Sequence, residues 1–146
     1  MKILSINGDT SLYGLIPLEG WEDAVLSPIT RKKLTYNDNA GMDGTRVILQ
    51  QRKVEKRTVS IQFYLSKVTG DKYDYYEKLN LIEENLVKGM NNTGINHIAV
   101  EMGRKKVTYY MLYESSDKYQ CFGGNRALIT IKFVELNPKT RDVNSL

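Results

Sequence analysis

Side chains that carry chemistry are scarce in this sequence. Cys121 is its only cysteine and His97 its only histidine. One thiol excludes a disulfide within the chain and fits a reducing compartment. One imidazole excludes a His-rich metal site and leaves a nucleophile-His-acid triad a single candidate base. His97 opens a strand-like stretch, where a structural role is expected, and nothing is spaced to activate the Cys121 thiolate. Long apolar runs are also lacking: none approaches the ~18 residues of a membrane span, and Met1–Ile6 is too short and alternating for a signal peptide. Cytoplasmic synthesis without a membrane step is expected.

Other absences narrow the classes further. Gly41-Met42-Asp43-Gly44 and Gly123-Gly124-Asn125 lack the Lys-Ser/Thr ending of a phosphate cradle and read as turns. The carboxylate pairs Glu22-Asp23 and Glu83-Glu84 are sequence neighbours, which on a helix diverge by about 100° and do not share general acid/base work. Catalytic, metal-binding and cofactor-binding residues are therefore expected to be absent, and with them enzyme activity. The net charge of +4 is spread among acidic residues without a basic block, so specific nucleic-acid binding is disfavoured. Internal repeats and a Ser- or Gly-rich linker are missing, and with only three prolines there is no clear place to divide the chain. Residues 1–146 are expected to form one domain, and 41% apolar against 26% charged residues is a globular balance.

What is present is mostly β patterning. Ile3–Ile6, the turn former Asn7-Gly8-Asp9 and Leu12–Ile16 read as a hairpin. From Glu19 to Gly44 turn formers prevail, predicting a long loop with at most one short strand, and loops of that length tend to be functional or ordered by a partner. Thr45–Leu65 reads as one long or two successive strands. Within it Val59, Ile61, Phe63 and Leu65 face one way and Thr58, Ser60, Gln62 and Tyr64 the other, which pins the register. The cluster Arg52–Arg57 is expected at an exposed or protruding part of it.

After Gly70 the period changes to 3.6: Tyr75, Tyr76, Leu79, Ile82, Leu86 and Met90 predict an amphipathic helix. Asp71 is its expected N-cap, Asp74 suits its first turn, and Lys88 and Gly89 mark its end. Ile98–Met102, the two-residue turn Gly103-Arg104 and Val107–Tyr113 read as a second hairpin. A polar loop is expected through Ser115–Asp117 and Gly123–Asn125. A last strand follows over Ala127–Leu136, and a frayed tail from about Pro138. The ten tyrosines suit core and interface positions where helix meets sheet. The fold class is mostly β (α+β): a β-sandwich or split barrel of antiparallel strands with one amphipathic helix.

In this order the elements resemble the N-terminal domain of the phage distal tail protein family, itself similar to the tail tube fold. The likeness rests on Ser5–Leu15, the Gly41–Gly44 loop before a strand, the alternating Arg57–Tyr64, the helix, the hairpin and the strand Ile129–Pro138. The resemblance implies a structural tail component. It would self-assemble as a homo-oligomeric ring or adaptor, with a hexamer as the stoichiometry to test, linking tube to tip or baseplate. It implies other tail proteins as partners, no cofactor, and a place in the virion tail after assembly in the host cytoplasm. No counterpart of the second, carbohydrate-module-like domain that many members carry is present in the sequence. Trp21, Asp43, Arg46, Arg52, Lys53, Lys56 and Arg57, in the long loop and the basic arm, are the candidate subunit-interface residues. The alternative is a monomeric β-rich binding module that takes nucleic acid or another ligand on a Tyr/Lys face.

Overall fold

The computed structural model describes residues 1–29, 36–37, 46–47, 55–66, 72–122 and 126–146. Strands dominate it: β1 (Lys2–Ile6), β2 (Leu15–Pro17), β3 (Tyr36–Asn37), β4 (Arg46–Val47), β5 (Arg57–Ser66), β6 (Ile95–Met102), β7 (Lys105–Phe122), β8 (Arg126–Glu135) and β9 (Asp142–Ser145). A short helix α1 (Trp21–Val25) precedes β3, and the long helix α2 (Lys72–Lys88) separates β5 from β6.

The main sheet runs β1-β6-β7-β8-β5-β2, with β9 added to β7, and every pairing in it is antiparallel. The edges β1 and β2 are joined only by residues 7–14, which contain a reversal at Asn7-Gly8 and a 3-10 turn at Leu12–Gly14. A flat sheet would hold those edges about 24 Å apart at about 4.8 Å per strand, too far for so folded a connection. The sheet curls into a half barrel with α2 against it, which agrees with the expected split barrel of antiparallel strands and one long amphipathic helix.

The central pair β5–β8 follows the alternation read from sequence. Val59, Ile61, Phe63 and Leu65 meet Ala127, Ile129, Ile131 and Phe133 on the core face, none more than 4% exposed. Burying each large member of this set contributes about 1.5–3 kcal/mol. Helix α2 closes the core with Tyr75, Leu79, Ile82 and Leu86, while Tyr76 turns outward. Asp74 and Lys88 occupy its first and last turns, the proposed cap Asp71 lies outside the described residues, and Met90 begins a separate 3-10 turn. The hairpin at Gly103-Arg104 forms as expected, Met102 opposite Lys105 and Gly103 at φ +58°.

Four expectations are corrected. Asn7-Gly8 does reverse the chain, with Asp9 N–H donating to Ile6 O at 2.9 Å, but β1 and β2 do not form a hairpin. β1 pairs with β6 and β2 with β5, at opposite edges of the sheet, and Ile6, Leu12 and Leu15 all reach the core in this arrangement. Pro17 sits in the edge strand β2, where its missing N–H breaks no interior ladder. The stretch after Glu19 holds α1 and the small β3–β4 ladder, so it is not wholly irregular.

Ser115–Asp117 are strand, not loop. β7 runs on past the end of β6, which stops opposite Leu112, and two bulges with Lys118 at φ +50° bend it along β8. Among the described residues this segment pairs with β8 alone. The chain after Pro138 is not frayed. Asn137 Oδ1 accepts from Lys139 N at 3.2 Å to cap a 3-10 turn at Pro138–Thr140, and β9 then pairs with Lys105–Thr108 of β7. β8 and β9 lie in tandem on one side of β7, as one strand interrupted by a detour.

Candidate assembly surface

Two buried polar nodes fix the loops and edges on which a surface function would rest. The first is built on Glu135, the last residue of β8 and 1% exposed. Its cross-strand partner Arg57, 5% exposed, donates from Nε to Oε1 at 2.9 Å. Arg141, just before β9, donates from Nε to Oε2 and from Nη2 to Oε1, both at 2.8 Å. Arg57 Nη1 also donates to Val25 O at 2.6 Å and Ser27 O at 2.8 Å, placing a cation at the C-terminal end of α1. The Tyr109 ring lies beneath both guanidiniums, 4.8 Å from Arg141 and 5.7 Å from Arg57. One carboxylate thus ties α1, β5, β8 and the approach to β9.

The charges of the node set the ionisation of its members. Glu135 holds the Arg141 guanidinium above the usual arginine range against the opposing effect of burial. Desolvation pushes the Tyr109 hydroxyl up, and the two arginines offset part of that shift. Arg57 Nη2 is buried without a hydrogen-bond partner.

The second node is Asn96, fully buried in β6. It accepts from Asn7 Nδ2 at 2.9 Å and donates to Leu86 O at 2.8 Å. Asn7 in turn exchanges backbone contacts with His97, donating from N to His97 O and accepting His97 N on Oδ1, each at 2.8 Å. The turn after β1, the last turn of α2 and the start of β6 are held together by amide groups that leave no charge to bury.

The outer surface carries exposed apolar groups and open strand edges. Tyr73, Tyr76, Leu81 and Val87 project from α2, with the Tyr73 and Tyr76 rings 6.3 Å apart. On the sheet face away from α2, Ile95 stands opposite Leu112 and Leu112 opposite Val134. A 180 Å³ recess there is lined by Ile95, Tyr110, Leu112, Leu136 and Thr140 among others. Among the described residues, β7 beyond Leu112 has a partner on one side only, and β1, β2 and β9 are edges.

The candidate interface residues separate on this surface. Trp21 begins α1 and packs half-buried against the core, and Lys56 is exposed directly before β5. Arg46 is placed by its backbone opposite Asn37 in the β3–β4 ladder. Asp43, Arg52 and Lys53 lie outside the described residues. Arg57 corrects the expectation of an exposed charged arm: its guanidinium is spent on Glu135, Val25 and Ser27 inside the molecule. Sequence reasoning missed Glu135, Arg141 and Asn96. An acidic residue ending an apolar strand, followed closely by proline and arginine, was the available signal for the first two.

No group of His, Cys, Asp and Glu suited to a metal occurs among the described residues. His97 packs edge-on to Tyr110 at 4.7 Å, the structural setting expected of it. The Cys121 side chain and both glycine turns, Gly41–Gly44 and Gly123–Asn125, lie outside what is described. Tyr75 and Tyr109 are core residues, which removes them from any base-stacking face. No helix among the described residues is long and apolar enough to cross a membrane.

No known family profile and no curated protein sequence matches the chain. Among solved structures the fold is similar to the crystal structure of the Dit protein of phage SPP1, described as a paradigm of the hub adsorption apparatus in phages that infect Gram-positive bacteria. The TM-score is 0.61 at 15% identity, over 94% of this chain and 50% of that one. At that identity the likeness is one of fold, and this chain spans half the length of the SPP1 protein.

Proposed function

We propose that this chain is a structural component of a phage or prophage tail that assembles through its surfaces into a ring or adaptor joining the tail tube to the tip or baseplate. The observation that carries this reading is the shared fold with a phage hub protein over almost the whole chain. The open edges and the exposed apolar groups of α2 support it, since a ring needs two different patches on each protomer. In this reading residues 1–146 act as one domain, its partners are further copies of itself and other tail proteins, and it resides in the virion tail after assembly in the host cytoplasm. Trp21, Asp43, Arg46, Arg52, Lys53 and Lys56 remain the proposed contact residues. Arg57 acts behind them, by anchoring the root of the long loop.

The test is the oligomeric state of the full chain across concentration, read by light scattering and negative-stain electron microscopy. Discrete closed rings, with six protomers the first number to look for, are the expected result. A monomer at every concentration, retained on DNA with log affinity falling as log salt rises, would overturn the reading in favour of a nucleic-acid-binding module.

A further inference from the structure

We infer that β9 is an exchangeable strand: in the assembled form it leaves its own β7, pairs with β7 of the next copy and carries Arg141 to that copy's Glu135. This deepens the ring reading and rests on it.

The first ground is how little holds β9 in place. All four of its residues are exposed, Val143 at 60% and Leu146 beyond it at 62%, so it adds almost nothing to the core. Its attachments are the ladder to Lys105–Thr108, the Leu146 N–H to Arg104 O bond at 3.2 Å, the Tyr110–Asp142 contact and the Arg141 ion pair. An identical neighbour offers every one of these again. Exchange therefore conserves the contacts, and only the connection has to open.

The second ground is the charge arithmetic at Glu135. With Arg141 in place the node holds two cations and one carboxylate. When Arg141 leaves, Arg57 and Glu135 remain as a balanced buried pair, with Arg57 still on Val25 O and Ser27 O. The departure of either arginine leaves one cation with one carboxylate, but that of Arg57 would also strip the carbonyls of Val25 and Ser27 of their donor, and Arg141, at 22% exposure, is the one solvent reaches.

The third ground is the connection itself. In it Leu136 is 58% exposed, Pro138 is buried within the short 3-10 turn that has to open, and the five residues from Leu136 to Thr140 would span about 17 Å if drawn straight. A vacated β7 edge runs on from the end of β8, so an incoming strand has a defined register. Donor strand and acceptor edge are different patches, so each exchange is head-to-tail and a closed set of them is a ring.

The experiment uses the full chain in a Cys121→Ser background. Lys106 and Asn144 are cross-strand partners, and Lys106→Cys with Asn144→Cys reports which β9 lies on which β7. Chains carrying both substitutions are assembled, oxidised and run on a denaturing, non-reducing gel. A ladder of covalent oligomers, and a linked pair when the two single variants are mixed but from neither alone, is expected. Rings by light scattering with only internally bridged monomers on the gel would overturn the exchange and leave the ring reading standing. No assembly under any condition would overturn the ring reading and the exchange with it. Arg141→Ala supplies a readout without cysteine: the concentration for assembly should rise about tenfold or more with the monomer's circular dichroism unchanged. An unchanged assembly concentration would count against the exchange.

Discussion

Arg57 and Glu135 face each other as register partners on β5 and β8 and meet at 2.9 Å, although 78 residues separate them in sequence. Both are buried, so the pair is costly to break from one side. Glu135→Gln leaves Arg57 charged in the interior and should lower unfolding free energy by about 3–5 kcal/mol. Arg141→Ala, which keeps the buried pair intact, should cost only about 1.5 kcal/mol. Arg57→Met combined with Glu135→Leu should be less harmful than Glu135→Gln alone, because the only cation left without a carboxylate is Arg141, which solvent reaches. Urea denaturation of the three variants checks the ranking.

Asn96 offers a neutral counterpart. Asn96→Ala removes an acceptor from Asn7 and a donor from Leu86 O in a fully buried site, and should destabilise by about 1–3 kcal/mol. Hydrogen exchange should quicken together in the Asn7 turn, the last turn of α2 and the start of β6, while β5 and β8 stay protected. Quickening confined to β6 would contradict the linking role.

Gly89 and Gly103 both have positive φ, +67° and +58°, but their surroundings differ. A Cβ on Gly89 would meet Ile95 N at 2.5 Å and the Gly94 carbonyl carbon at 2.7 Å, whereas one on Gly103 meets nothing within 4 Å. Gly103→Ala should cost about 1 kcal/mol, from backbone strain alone. Gly89→Ala should exceed about 2 kcal/mol, because the backbone after α2 has to move. Thermal unfolding of the two variants side by side separates strain from collision.

Alkali should destabilise the fold. Desolvation raises the hydroxyls of Tyr109 and Tyr113 above the ordinary 10.0, and a hydrogen bond to Asp142 raises that of Tyr110. Each is held protonated in the native state while the unfolded chain releases its proton near the ordinary value. Their contribution is therefore fully present below about pH 10 and is lost as pH rises through the folded-state values. Denaturation midpoints at about pH 9 and about pH 11 should fall in that order. Tyr109→Phe should shrink the difference.

The parts of the fold legible in the sequence are those whose neighbours lie close along the chain or whose faces differ sharply in polarity. Val59–Leu65 and Ala127–Phe133 alternate because one sheet face is core. Tyr75, Leu79, Ile82 and Leu86 repeat because α2 lies on that core, and Gly103-Arg104 is a local turn. β9 was illegible because all four residues are exposed, so it has no period to detect. The pairing of β1 with β6 in place of β2 depends on how the whole sheet curls, which Ile3–Ile6 does not encode locally. Arg57 looked like part of a surface arm for the same reason: its environment is set by Glu135, Val25 and Ser27, none of them near it in sequence. Among the candidate interface residues the sequence does not separate the exposed Lys56 and the half-buried Trp21 from the buried Arg57 beside Lys56.

The strand order bears on how the protein is made. β8 bridges β5 and β7, yet it follows both of them in sequence. Until residues 126–135 leave the ribosome, β2 and β5 on one side and β1, β6 and β7 on the other have no ladder between them among the described residues. The two half-sheets must wait with apolar faces and strand edges exposed, so folding is a late, concerted closure and not a progressive one. A ribosome stalled before β8 would hold a chain whose best available partners are other nascent chains on the same message.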